Sequence, residues 1–433
     1  MVTLEALLLL TRTRRIIWFK DVVLKDCHGF CINEIVNRII VIILLVLGPL
    51  IGSAKTDPDS VSTLLLDIKI QIESNQALND MYNMKFDRAE MQFRWIKQKY
   101  DWHPLPYFLL GLSQWWKIIP DVDNKQYDET FHAYMDTSLM LSKKLYKINE
   151  IEGAFFLAAT YGFVARLESD RGNWRKAALA GKNALSYVDE VRENVDFSPE
   201  VLFGDAIMNY YTEWIRDNYP VLKPIMWFFP RGDIEKGISQ LKEVAHNAFY
   251  TRTEAQYYLM RILANEENRY AEALPIVEYL RETYPDNSYF HRFYMSLLYR
   301  MGRHRELEQE SLLALSRIDS GMTGYEGVTG RYACFYLGKM TKNKRKIEDS
   351  KNYFKRAIEF ARLTKDESAW YSVLSSYELG QYYASEDKNL SIKYLNLTIK
   401  NSDGKKKHRQ RARALLKKVK RSKDRSPKTA SSD

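Results

Sequence analysis

Cysteine is scarce in this sequence: three residues in 433, of which Cys27 and Cys31 lie near the N-terminus and Cys334 stands alone in the remainder. A single cysteine closes no intramolecular disulfide, so the body of the fold must stand on packing. Cys334 falls among apolar and aromatic residues of a predicted helix, where a packing role is expected. Cys27-His28-Gly29-Phe30-Cys31 brings three potential metal ligands together, but without a second ligand pair no metal site is expected, nor any cofactor. Proline is limited to 12 residues, and a chain 45% apolar and 13% aromatic is too rich in core-forming side chains for disorder outside its ends. Strand-type alternation of period two is missing throughout. So are the catalytic signatures: no HExxH, no glycine-rich phosphate loop after a strand, no nucleophile elbow. The histidines are scattered over separate segments, and neither His291 nor His304 has a neighbour that would make a charge relay.

One continuous apolar run stands out, IIVIILLVLGPLI at 39–51, and its 13 residues are too few for an ordinary membrane-spanning helix. Arg38 precedes it and Gly52-Ser53-Ala54 follows. That is the order of basic region, apolar region and small-residue cleavage site in a secretory signal peptide. On this reading residues 1–54 are a leader, the true start lies near Val36, and the protein is exported, to be periplasmic or held at the membrane by 39–51. The net charge of +10 is not spread evenly. From Gly404 onward 13 Lys and Arg face only Asp424 and Asp433, while residues 1–54 hold six basic and four acidic groups. The body from Lys55 to Asp403 is therefore close to neutral, with a small negative excess, and the basicity is a tail. A neutral body and an export signal argue against nucleic acid as the partner.

The body repeats. Residues 254–287, EAQYYLMRILANEENRYAEALPIVEYLRETYPDN, form a 34-residue unit with Tyr257, Leu259, Met260 and Leu263 on a first helix. A polar turn follows, then a second helix with Ala273, Val277 and Leu280 at spacings of four and three, closed by Pro285. The same small–apolar–apolar slots recur as Ala89, Phe93 and Ile96; Ala177, Gly181 and Ala184; and Gly237, Leu241 and Val244. They return as Leu307, Ser311 and Ala314; Ser350, Phe354 and Ala357; and Ser391, Leu395 and Thr398. A further pair is predicted over 106–119 and 127–146, and glycine turns at Gly172 and Gly302. Successive steps of 60, 36, 34 and 43 residues from Ala177 to Ser350 require insertions at the long ones. A unit of this size buries its apolar face only against its neighbours.

These spacings resemble the tetratricopeptide (TPR) repeat. The expected fold is an all-α, right-handed TPR-like superhelical solenoid of about eight helix pairs over 55–403, interrupted by a Pro/aromatic insertion. One segment, Phe229-Pro230-Arg231-Gly232-Asp233 followed by Gly237, Ile238 and Leu241, is similar to the inclusion-body-clearance family of TPR proteins. Arg231-Gly232-Asp233 also spells an adhesion tripeptide, but Gly-Asp opens a helix well, with the acid near its positive end. TPR proteins bind through a concave groove built from first helices. The resemblance places Arg166, Tyr258, Tyr289, Arg292, Tyr299, Tyr332, Phe335, Lys339 and Tyr377 in groove-facing slots. Aromatic and guanidinium groups suit peptide recognition, because they bury large areas with little entropy loss and grip carboxylates.

Three features lie outside the repeats. In the insertion NYPVLKPIMWFFPR, Trp227, Phe228 and Phe229 form an apolar cluster that either folds back onto the solenoid or contacts a partner. In the tail 404–433, Ala412, Ala414, Leu415, Leu416 and Val419 predict a short helix covering the last repeat, with cations that either stay solvated or meet an anionic membrane or envelope polymer. Asp205 and Glu213, near Trp214, are the acidic pair that an all-α toroid acting on polysaccharide would use. Eight residues apart on one helix, they stand more than about 10 Å apart. The expectation is an exported bacterial TPR scaffold or adaptor that binds a protein or peptide partner without catalysis; a polysaccharide enzyme and a membrane-surface structural component of the envelope are the alternatives.

Overall fold

A computed structural model describes residues 63–192, 198–218, 220, 231–402 and 406–421. Among these residues there are seventeen α-helices and no strand, and no helix is long and apolar enough to cross a membrane. Residues 1–54, with Cys27 and Cys31, lie outside the described residues, as do Trp227, Phe228 and Phe229 of the insertion.

Sixteen helices form eight consecutive pairs. The first four are α1 (Ile68–Tyr82) with α2 (Phe86–Lys99), α3 (Pro104–Ile118) with α4 (Asp128–Leu145), α5 (Glu150–Asp170) with α6 (Trp174–Arg192), and α7 (Leu202–Asn218) with α8 (Ile234–Asn247). Then come α9 (Arg252–Arg261, continued as a π-turn over Ile262–Glu266) with α10 (Tyr270–Thr283), and α11 (Ser288–Met301) with α12 (His304–Asp319). The series ends with α13 (Gly327–Asn343) and α14 (Ile347–Leu363), α15 (Trp370–Tyr383) and α16 (Lys388–Lys400), and a closing α17 (Lys406–Arg421). This is an all-α, TPR-like helix-pair fold. It divides into two compact units, with the boundary inside α11 between Leu297 and Leu298.

The repeated slots are the seams of the pairs. Ala89, Phe93, Ile96, Ala177, Ala273, Val277, Leu280, Leu307 and Ala314 are all fully buried. Each large side chain among them contributes about 2 kcal/mol by leaving water. In the C-terminal unit the seventh and eighth pairs use one device twice. The ring of Phe354 fills the space beside Gly338, where a Cβ would lie 2.6 Å from it, and Leu395 fills the space beside Gly380 at 2.7 Å. Ser350 Oγ then donates to the Gly338 carbonyl, and Ser391 Oγ to that of Gly380, both at 2.8 Å. The small slot therefore does two jobs: it admits the facing helix and ties it down.

The turns inside the pairs are equally regular. Gly172 and Gly302 have the positive φ expected of them, +73° and +72°. Met84, Asn268 and Arg345 hold the same left-handed conformation, at φ 59°, 55° and 59°. Each of the five lies two residues before the start of its second helix. In four of them the next backbone N–H returns to a carbonyl one turn back: Lys85 to Asp80, Asn173 to Glu168, Arg303 to Leu298 and Lys346 to Thr341. This is the six-to-one bond of the Schellman ending. In the fifth, Arg269 N–H reaches Leu263, one residue further, because the π-turn over Ile262–Glu266 lengthens the helix end.

Asp233 accepts from Lys236 N–H at 2.8 Å and so caps α8, which gives the Arg-Gly-Asp tripeptide a local structural role. Cys334 is fully buried in α13, and burial pushes its thiol up to about 12. At the C-terminal end Ala412 and Val419 of α17 are buried against Leu395, with Leu415 and Leu416 partly buried beside them. The helix expected to cover the last repeat does so.

Candidate functional site

In the N-terminal unit, the first helices of four successive pairs (α3, α5, α7 and α9) converge on an apolar cavity of about 270 Å³. Leu105, Phe108, Leu109 and Leu112 come from α3, Phe203, Gly204, Ile207 and Met208 from α7, and Val188 and Val191 from the second helix α6. The α5 wall is opened by small side chains: Ala158, Ala159 and Gly162. A Cβ built on Gly162 would meet nothing within 4 Å, so this glycine faces open space. Phe163, on the same wall, is held edge-on against Phe108 and Trp115 at 5.7 and 5.8 Å.

Polar groups sit at defined places in this apolar lining. Arg166 Nη1 donates to the Tyr258 hydroxyl at 3.1 Å, its Nε stands 3.5 Å from Asp170, and its guanidinium lies over the Trp115 ring. Two residues singled out from sequence, Arg166 and Tyr258, are thus brought together on the cavity wall. Burial pushes the Tyr258 hydroxyl above the ordinary tyrosine range. Glu254, at the start of α9, lines the cavity as well. Its Oε1 accepts from Trp116 Nε1 at 2.8 Å and from the Tyr82 hydroxyl at 3.4 Å, so it joins α1, α3 and α9. Burial drives this carboxyl up to about 7, against the opposing pull of the two hydrogen bonds and of Arg166. Glu200 is used differently. Its carboxylate accepts the N–H groups of Phe249, Tyr250 and Thr251 and the Thr251 hydroxyl, at 2.6–3.0 Å, and so fixes the turn into α9.

The other residues placed in groove slots have different surroundings. Arg292 is buried and donates to the Pro120 carbonyl at 3.0 Å, with its guanidinium over Tyr289. Tyr289 packs against Tyr257 and Phe293 and accepts from Arg261 at 3.3 Å. In the C-terminal unit Tyr332 and Phe335 are buried, contrary to a groove-facing position. Phe335 stacks on Tyr371 at 4.4 Å and Tyr299 on Tyr336 at 4.8 Å, while the Tyr336 and Tyr371 hydroxyls meet at 2.9 Å. These rings hold first helix to first helix. Lys339 donates to Glu378 at 2.8 Å, with Lys342 on the other oxygen, and Tyr377 packs on the Leu395 cluster. Although burial alone would raise it, the two lysines hold Glu378 below the usual carboxylate range.

Both carboxylates of the enzyme alternative are occupied. Asp205 pairs with Arg192 at 2.8 Å and accepts from Asn209 and Gln240, and Glu213 pairs with Arg216. Among the described residues no group of three or more His, Cys, Asp and Glu stands close enough to hold a metal. Glu254, Glu200 and Gly162 were not singled out from sequence. The one legible signal was Gly162 itself, a glycine in mid-helix with no turn beside it.

No family model matches the chain, and no curated protein matches it. Among solved structures it is similar to human IFIT1, solved as a dimer with PPP-AAAA, at 14% identity over 78% of this chain and 69% of that one. The TM-score is 0.43.

Proposed function

We propose that the protein is a non-catalytic helical scaffold that receives a protein or peptide partner on the first-helix face of its N-terminal unit. The observation that carries this reading is the convergence of α3, α5, α7 and α9 on one apolar cavity whose wall holds Arg166 and Tyr258. An apolar side chain of the partner fills the cavity, and an acidic or carbonyl group beside it meets the guanidinium and the hydroxyl. A nucleic-acid backbone fits poorly, because the lining is apolar and includes the carboxyls of Glu200 and Glu254. Export belongs to the same proposal and rests on residues 36–54. N-terminal sequencing should then find the mature chain beginning near Lys55, and a mature chain that retains Met1 to Glu34 removes it.

The cavity is tested by filling it. In Gly162→Trp the new side chain has open space to enter, so the fold should be kept, with an unchanged melting temperature. Affinity capture from the envelope of the source organism is run with the intact protein, Gly162→Ala and Gly162→Trp. The partner should come down with the first two and be lost with the third. The same partner captured equally by a folded Gly162→Trp protein ends the cavity reading.

A further inference from the structure

The closing helix α17 is fixed in place by one face and presents another. Its apolar seam, Ala412, Leu415, Leu416 and Val419, lies against Leu395. Arg409 Nε donates to the Ile399 carbonyl at 3.2 Å, and the His408 ring meets the edge of Trp370 at 4.7 Å. The opposite side, from Lys407 to Arg421, carries seven exposed cations and not one acid. Elsewhere, exposed cations such as Lys242 and Lys344 find acids on neighbouring helices, Glu272 and Glu308. No ion pair among the described residues involves any of the seven on α17. Several stand at like-charge spacings of four, Lys407 with Arg411, Arg413 with Lys417 and Lys417 with Arg421, which destabilises a helix. Covering the last repeat requires the seam and a polar outer face. It does not require an outer face of one sign, since Glu or Gln at half of these positions would serve the cap better.

We infer that the outer face of α17 docks the protein on an anionic phospholipid surface. The seam is already used against α16, so the helix cannot lay apolar side chains into a bilayer, and attachment is electrostatic. The exposed residues interspersed with the cations are Gln410 and Ala414. The face therefore offers no aromatic ring on which a base could stack, which sets it apart from single-strand nucleic-acid sites. What it offers is a rigid array of charge matched to a sheet of phosphates.

The test uses the full chain and the variant Arg411→Gln/Arg413→Gln/Lys417→Gln/Lys418→Gln, co-sedimented with vesicles of phosphatidylcholine alone or mixed with phosphatidylglycerol. The two proteins differ only at four positions of α17, so the difference between them reads that helix. The intact protein should bind the anionic vesicles more tightly than the neutral ones, with a loss of about tenfold or more between about 0.05 and 0.3 M salt. The variant should keep its far-UV spectrum and melting temperature and lose about tenfold or more of that binding. Equal binding by intact protein and variant, or no preference for the anionic lipid, overturns the proposal. So does tighter binding of a duplex DNA or RNA than of the vesicles at the same salt, which would assign the face to nucleic acid.

Discussion

Replacing Glu254 by glutamine should change how stability depends on pH, and the structure sets both sign and size. The ordinary glutamate value of 4.5 applies to the unfolded chain, whereas burial raises the folded carboxyl to about 7. The folded state therefore keeps a proton that the unfolded state gives up between these values. Stability from this group is fully present below about pH 4.5, falls as pH rises towards 7, and is flat above. A gap of about 2.5 units at about 1.36 kcal/mol per unit makes the loss about 3 kcal/mol between pH 4 and pH 8. In Glu254→Gln the amide oxygen still accepts from Trp116 Nε1 and the Tyr82 hydroxyl, but nothing titrates. Chemical denaturation of both proteins across this range should give curves that lie close together at pH 4. By pH 8 the variant should be the more stable by about 3 kcal/mol. Parallel pH profiles would show that Glu254 ionises normally in the folded chain. A wild type that gains stability relative to the variant as pH rises would reverse the sign and refute the burial argument outright.

Other consequences are quickly stated. Arg345→Gly should stabilise the C-terminal unit by about 0.5–1 kcal/mol in thermal melts, because it relieves a left-handed residue at an exposed turn where the side chain is not packed. Gly338→Ala should cost about 1–3 kcal/mol by the same assay, since its Cβ would lie 2.6 Å from the Phe354 ring, in a seam with no slack. Cys334, buried and with its thiol pushed up to about 12, should resist thiol-disulfide reagents in the native protein at pH 8 and react fully in denaturant. Rapid native labelling would mean that α13 opens readily.

The pairs were legible because their slots obey period and size together. Ala273, Val277 and Leu280 announce a buried seam by spacing, and the structure buries all three completely. The turns were half legible. Glycine at 172 and 302 marks a left-handed residue in sequence, and Asn268 is of the type that most readily follows glycine there, whereas Met84 and Arg345 adopt the same conformation with nothing in their side chains to announce it. Tertiary packing of the two helices over-determines those turns and overrides local preference. The groove residues were the least legible. Helical spacing puts Arg292, Tyr332 and Phe335 on first helices, but which side of a first helix meets its neighbour and which meets the open face depends on how the pairs are stacked. Those three fell on the packed side. Arg166 and Tyr258 line the cavity of the N-terminal unit.

The apolar pattern of the first helices bears on the cavity independently of its outline. A second helix such as α8 is one-sided: Gly237, Ile238, Leu241, Val244 and Ala245 are buried and the rest, after Ile234 at its start, is polar. That is the stripe of a helix with one apolar neighbour. Helix α5 is apolar almost all round. It buries Ala154, Phe155, Phe156 and Leu157 in succession, and then turns Ala158, Ala159, Gly162 and Phe163 towards the cavity. Helix α3 is buried along nearly its whole length. A helix without a polar face must have an apolar neighbour on every side, or else leave part of its surface to contact something other than water. For α5 the side towards the cavity has small residues where a core would have large ones, and a glycine at which an added Cβ would meet nothing within 4 Å. Packing alone would favour filling that space, since each added buried methylene is worth about 0.8 kcal/mol. A sequence that leaves it open, lines it with rings and sets a guanidinium at its wall is consistent with a face kept for a partner.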